Sequence, residues 1–354
     1  MLGWAGGRGR RRGPGGRARY AGGVTDPTRT SGRPDDAGTW DDDLALALRL
    51  ADAADAISAA RFRSGDLHVS MKPDRTHVTD ADQAVERAIR ELVAAERPDD
   101  TFFGEEYGDD AAPSPGDDAA PSPDDVATRD PAPSGAAPAR PGRQWIVDPI
   151  DGTANFLRGV PVWATLVALV VDGVPVVGVV SAPAMGRRWW ASRGAGAWSS
   201  DRPGERLLVS GVSELGDASL SYNGLEYWRE AGRLDQLLGL TEQVWRTRAY
   251  GEFWSYVMVA EGALDVAGED GLAPYDMAAL QVVVEEAGGA FSSLDGAPGP
   301  WHGSALATNG LLHDEVVRAV RRDGDALIAP IAPEERGPTA QEAGDPVAPG
   351  APTA

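Results

Sequence analysis

Apolar residues recur with a helical period over Asp41–Phe62, where three successive Asp lead into an Ala- and Leu-rich run, and again over Thr79–Ala95. In the second stretch Val85, Ile89 and Leu92 share one face, and Thr79 stands where an N-cap is needed. The pattern then changes to short apolar runs bounded by turn residues. Thr101–Gly104, Trp145–Val147, Ala164–Val171, Val174–Ser181 and Arg188–Ala191 read as strands, with Asp172-Gly173 as a tight turn between two of them. Such a meander predicts an antiparallel or mixed sheet. From Trp245 onward helices alternate with short strands: a helix over Glu252–Gly262, a strand over Leu264–Ala267, a helix over Tyr275–Ala287 and a last helix from Leu311. The expected class is α/β, with layers of helix and sheet in two subdomains, about 40–200 and about 201–328.

Three stretches carry no periodic face. Residues 1–39 are rich in Arg and Gly, residues 109–142 hold eight Pro among Ala, Ser and Asp, and the chain beyond 328 is Pro-, Gly- and Ala-rich. All three read as disordered, because such compositions cannot bury enough apolar surface to offset the entropy of ordering. What remains of the 354 residues is ample for a large core.

Charge and cysteine usage narrow the function. The net charge is -21; residues 1–39 hold eight Arg against three acids, or +5, so the rest of the chain carries -26 and offers no broad basic face for nucleic acid. With no cysteine, disulfides, thiolate zinc sites and thiol nucleophiles are excluded. No apolar run approaches the roughly 18 residues of a membrane span, and Arg10–Arg12 lead into no signal-peptide core, so the expectation is a cytoplasmic protein with no membrane partner.

The chemistry is concentrated in acids at the ends of elements. In Trp145–Thr153 a strand-like run ends in Asp148 and Asp151 around Pro149, and with the Ile150 carbonyl these supply three hard oxygens of the kind Mg²⁺ prefers. The motif alone serves equally well as a polar turn. Glu105 and Glu106 follow a strand, while Asp276 and Asp82 stand in first helical turns, where acids are favoured by the helix dipole. Together, Glu105, Asp148, Asp151 and Asp276 would converge on two Mg²⁺ ions, with Asp82 near a third and a phosphate monoester bridging them. Such a centre activates water and neutralises phosphoryl charge without a protein nucleophile. Thr153 and Glu105 are placed to orient that water. Gly152 and Thr153 open a helix running into Asn155 and Phe156, whose free N–H groups would hold phosphate oxygens.

Gly104-Glu105-Glu106, Asp148-Pro149-Ile150-Asp151-Gly152-Thr153, Pro274-Tyr275-Asp276-Met277-Ala278-Ala279 and Glu285-Glu286-Ala287-Gly288-Gly289, with Val78–Asp82 before them, resemble in order and spacing the metal-binding signatures of the inositol monophosphatase family. The resemblance implies a layered αβαβα sugar-phosphatase fold, Mg²⁺-dependent phosphomonoester hydrolysis and a homodimer. It also implies that Glu105, Asp148, the Ile150 carbonyl, Asp151 and Asp276 bind metal, that Thr153 acts with Glu105 on water, and that Asp82 is an outer or third-metal contact. Gly159–Trp163, Val179–Pro183, Arg187–Trp190, Trp245–Phe253 and His302–Asp314 are similar to the histidinol-phosphatase branch of that family. A cationic amino-alcohol ester calls for carboxylates on the leaving-group side, for which Glu252 and Glu269 are the candidates, with Arg248 on an oxyanion or holding Glu252. Asp151, Gly152, Thr153 and Asp276 complete the substrate contacts. An inositol or broader sugar phosphatase is the alternative, and a non-catalytic metal-dependent scaffold a remote one. The chain departs from the family in having Ala154 where Lys is frequent and Tyr275 in place of Trp.

Overall fold

The computed structural model describes residues 40–71, 77–109 and 139–321. The expected disordered head and tail, and residues 110–138 of the expected disordered insertion, lie outside the described residues.

Thr79 and Asp82 start the fold's second helix reciprocally. The Thr79 hydroxyl accepts from Ala81 N at 3.1 Å, and Asp82 accepts from Thr79 N at 2.8 Å, a capping box that fixes helix α2 (Asp80–Glu96) behind α1 (Asp41–Arg61). Val85, Ile89 and Val93 form the fully inward face of α2, while Leu92 packs at its margin. Strands β1 (Val69–Met71) and β2 (His77–Thr79) pair antiparallel ahead of α2.

The two helices lie on one face of a seven-stranded sheet built from β3 (Thr101–Gly104), β4 (Gly108–Asp109), β5 (Arg143–Asp151), β6 (Ala164–Val171), β7 (Val174–Ala182), β8 (Arg187–Ser192) and β9 (Gly196–Ser199). Its order is β4-β3-β5-β6-β7-β8-β9, and only β3 and β5 pair parallel, so the sheet is mixed. Alternate residues feed opposite cores: Trp145, Val147, Val167 and Leu169 face α1 and α2, whereas Ile146, Leu166, Ala168 and Val170 face the other side. Burial of both faces explains why these strands read as continuous apolar runs rather than as alternating ones. The β6–β7 turn uses Asp172 at φ 50° and Gly173 at φ 82°, the pair of left-handed conformations a two-residue hairpin needs.

Strand β5 runs four residues past its predicted end, and its register against β6 shifts between Asp148 and Asp151. Pro149 lacks the N–H that would continue the ladder, so the strand bulges there, and a bulge re-aims the side chains that flank it.

Helices α6 (Glu252–Ala260) and α7 (Pro274–Glu286) fill the space between this sheet and a second one. Met277 to Val284 are all buried, and Gly178 on β7 lets α7 press close: a Cβ there would stand 2.4 Å from Ala279 O. The second sheet has the order β11-β10-β12-β14-β13, from β10 (Ser219–Tyr222), β11 (Arg246–Thr247), β12 (Val266–Asp270), β13 (Ala290–Ser292) and β14 (Ser304–Thr308). Its inner face carries Ala267, Phe291, Ala305 and Ala307, and its outer face Leu220, Val266 and Leu306. Helices α4 (Leu225–Glu230), α5 (Leu234–Thr241) and α8 (His313–Val320) cover the outer face, with Trp228, Leu237, Leu240 and Val316 buried beneath them. The layers are therefore αβαβα. Helix α3 (Thr153–Arg158) stands at the end of β5. No helix among the described residues is long and apolar enough to cross a membrane.

Candidate functional site

The β5 bulge and the start of α7 bring three carboxylates together: one oxygen each of Asp148, Asp151 and Asp276 lie within 4.8 Å of one another. Backbone N–H groups fix each side chain. Asp148 Oδ1 accepts from Ile150 N at 2.9 Å, Asp151 Oδ2 from Phe253 N at 2.7 Å, and Asp276 Oδ2 from Ala273 N at 2.6 Å. The Asp151 bond spans from the first sheet to α6, so the middle helical layer and the strand end share one anchor.

A second group, Asp82, Glu105 and Glu106, also has carboxylate oxygens within 4.8 Å of one another. Glu105 N donates to Val147 O at 3.3 Å and so extends the β3–β5 ladder to the residue beside Asp148. Thr153 joins the groups: its hydroxyl lies 3.1 Å from Asp82 Oδ1 and 3.1 Å from the Ile150 carbonyl, and with one proton it donates to either. Tyr275 packs its ring 5.8 Å from that of Phe103, between the two acidic segments, and so keeps an aromatic contact at the position where the chain departs from the family.

The electrostatics are those of crowded, buried acids. Asp148 is held well above the usual carboxylate range by burial first, then by the charges of Glu105, Asp151 and Asp276. Asp151 is raised by burial, Glu252 and Asp276. Burial pushes Asp82 up to about 6 against the pull of its Thr79 hydrogen bonds, with Glu105 adding to the rise. No Lys or Arg is among the main influences on these three. The donor set thus fits a divalent cation: hard oxygens only, converging and mutually repelling.

Glu252 and Glu269 lie close enough to Asp151 for their charges to act on its carboxylate. Glu252 holds φ 49° directly after Gly251 at φ 82°, a left-handed conformation that costs a non-glycine residue on the order of 1–3 kcal/mol and tends to persist where function needs it. Its carboxyl is pushed up to about 7 by burial, opposed by a hydrogen bond from Asn155. Gly152, at φ 87°, makes room for it: a Cβ there would meet Glu252 Cγ and Val162 O at 3.0 Å. Glu269 is buried, its Oε1 accepts no hydrogen bond, and burial and the Glu252 charge raise its pKa.

Arg248 stands apart from the acids: it is exposed, and its described hydrogen bond runs to Thr247 O at 2.6 Å. Glu252 lacks an arginine partner among its described contacts, and Asn155 occupies that role. Trp189 is a core residue, fully buried, with its indole N–H on Glu261 at 2.6 Å. Sequence reasoning named Asn155 only for the backbone of its helix and missed its side chain, and it passed over Glu86, a carboxylate on the otherwise apolar face of α2; the only signal for the latter was an acid in phase with Val85 and Ile89.

Comparison with known proteins agrees with this geometry. The model of the inositol monophosphatase family matches residues 40–325. A histidinol-phosphatase of Mycobacterium tuberculosis is 53% identical over 279 residues, covering 78% of this chain and 96% of that protein. One of Streptomyces coelicolor is 50% identical over 282 residues with the same coverage. The solved structure of an inositol monophosphatase from Zymomonas mobilis superposes with a TM-score of 0.63 at 27% identity, covering 80% of this chain and 99% of that one. The chain belongs to the inositol monophosphatase family, whose members are metal-dependent phosphatases, and is a phosphomonoester hydrolase.

Proposed function

We propose that the protein hydrolyses L-histidinol phosphate to L-histidinol and phosphate with the help of two Mg²⁺ ions, or three if Asp82 takes one. The observation that carries this reading is the pairing of a hard-oxygen cluster with two further acids, Glu252 and Glu269, whose charges reach Asp151. An ester with a cationic leaving group finds countercharge there, whereas an inositol ester brings only neutral hydroxyls. Identities of 50% and more to proteins named histidinol-phosphatase support the same choice.

Glu105, Asp148, the Ile150 carbonyl, Asp151 and Asp276 would hold the metal. When bound, the ions activate water and neutralise charge on the phosphoryl oxygens. The chain's own groups do the rest. Thr153, with its proton turned to Asp82 Oδ1, presents lone pairs to the attacking water, and Asp82 stands behind it as base; Glu105 holds the water from the other side. Gly152 and Thr153 offer backbone N–H groups to the phosphate. Glu252, steadied by Asn155, and Glu269 face the ammonium of the leaving alcohol. A homodimer in the cytoplasm, with subdomains over about 40–200 and about 201–328, completes the proposal.

The fold is shared with inositol monophosphatases, which keeps an inositol-1-phosphatase as the second reading. Purified protein incubated with histidinol phosphate should release phosphate with Mg²⁺, stop on addition of EDTA and resume when Mg²⁺ is restored. Absence of release under saturating Mg²⁺ contradicts the proposal.

A further inference from the structure

Glu86 has no part in the scheme above, yet it is fully buried on the face of α2 that otherwise packs Val85, Ile89 and Val93. It sits one helical turn after Asp82. Its Oε2 accepts from Glu106 N at 2.7 Å, and its Oε1 accepts from Tyr107 N at 3.2 Å and from Arg90 Nη2 at 3.0 Å. Arg90 in turn donates to Gly108 O at 3.1 Å and lies over the Phe102 ring at 4.3 Å. The turn from β3 to β4, which carries Glu105 and Glu106, is thus gripped along its backbone from a single helix.

Gly104 makes the grip possible. A Cβ at this position would lie 2.1 Å from Glu86 Oε1 and 2.2 Å from its Cδ, so any side chain on the residue preceding Glu105 displaces the carboxylate. Packing alone does not call for a charge here, since an apolar side chain would pack at least as well against Val85 and Ile89. The chain keeps a buried carboxylate, and both its oxygens are spent on the backbone next to Glu105.

We propose that Glu86 is a positioning residue for the metal centre: it fixes the backbone that carries Glu105 and Glu106 and so aligns them with Asp82, which projects from the same helix. The proposal rests on the metal reading of that group. Outer partners that orient ligands in this way typically account for about 10- to 100-fold in metal affinity or activity.

The test compares wild type, Glu86→Gln, Gly104→Ala and Arg143→Gln as full-length chains. Mn²⁺ binding is read by titration calorimetry, together with the Mg²⁺ concentration for half-maximal phosphatase activity and the melting temperature. Glu86→Gln keeps the volume and one acceptor but turns an N–H toward a backbone N–H; Gly104→Ala keeps Glu86 and pushes it aside. Both are expected to weaken Mn²⁺ binding about 10- to 100-fold and to raise the Mg²⁺ requirement, with kcat largely recovered at saturating Mg²⁺. Arg143→Gln, which loses ion pairs to Asp43 and Asp100 at the opposite end of β5, is expected to melt lower and to keep wild-type Mn²⁺ affinity. If Glu86→Gln fails to fold, Gly104→Ala carries the decision. Wild-type Mn²⁺ affinity in the folded variants, or weakening no greater than in the control, overturns the positioning role. Absence of Mn²⁺ binding by wild type overturns the metal reading itself.

Discussion

Replacing Glu252 by Gln should separate stability from selectivity. The carboxyl is pushed from 4.5 to about 7 by burial, so the folded protein resists its ionisation. The sign follows from linkage: with the folded pKa above the unfolded one, stability is highest when the group is protonated and is lost as pH rises from about 4.5 to about 7. At 1.36 kcal/mol per pKa unit the penalty is about 1 kcal/mol at pH 5 and at most about 3 kcal/mol at pH 8. Gln carries no such penalty. In EDTA, the variant should therefore melt higher than wild type by roughly 6–12 °C at pH 8 and by only about 2–4 °C at pH 5, using 2–4 °C per kcal/mol for a domain of this size. Catalysis should move the other way. Losing a charge-assisted contact worth roughly 1.5–3 kcal/mol lowers kcat/KM for histidinol phosphate about 10- to 150-fold, while inositol 1-phosphate, which has no ammonium, is hydrolysed as before. The assays are differential scanning fluorimetry at the two pH values and steady-state phosphate release on both esters. An equal loss on the two substrates, or a variant no more stable at pH 8, would refute the assignment of Glu252 to a cationic leaving group.

Other consequences can be checked with the same assays. Asp148→Asn removes a proposed metal ligand and also a mutually repelling charge, so it should cost at least about 10³-fold in kcat and abolish tight Mn²⁺ binding while raising the melting temperature of the metal-free protein; unchanged function in the cell would favour a non-catalytic scaffold. Thr153→Val deletes the hydroxyl between Asp82 and the Ile150 carbonyl and should lower kcat by about 10²- to 10⁴-fold with little change in KM. Because Asp82 is raised to about 6 and Asp148 also lies high, protons compete with metal, and kcat/KM should fall as pH drops below about 6. That acid limb should move to lower pH as Mg²⁺ is increased; a limb indifferent to Mg²⁺ would mean that these carboxylates are not the titrating groups.

Much of this was readable in the chain because the informative residues sit at the ends of well-marked elements. Thr79 is the N-cap the pattern predicts, with Asp82 completing a capping box, and the meander from β5 to β8 follows from apolar runs cut by Asp172-Gly173. The carboxylates were legible for the same reason: each closes a strand or opens a helix. The second sheet was harder to see. Its strands β11 and β13 are two and three residues long, and β10 and β14 are Ser- and Ala-rich, so their identity depends on pairing that brings distant segments together. Strand β12 shows this directly. It was expected at Leu264–Ala267 but runs over Val266–Asp270, because the ladder with β14 continues through Gly268 and Glu269. The roles of Asn155 and Glu86 depend on neighbours far away in sequence, and no local pattern announces either.

The central claim is that these acids serve hydrolysis of a cationic phosphate ester. The most direct test is kcat/KM of the wild-type protein for histidinol phosphate and for inositol 1-phosphate, side by side with saturating Mg²⁺. The account predicts at least a tenfold preference for histidinol phosphate, about 1.4 kcal/mol of discrimination. Equal values, or a preference for the inositol ester, would leave the metal centre standing and contradict the reading of Glu252 and Glu269.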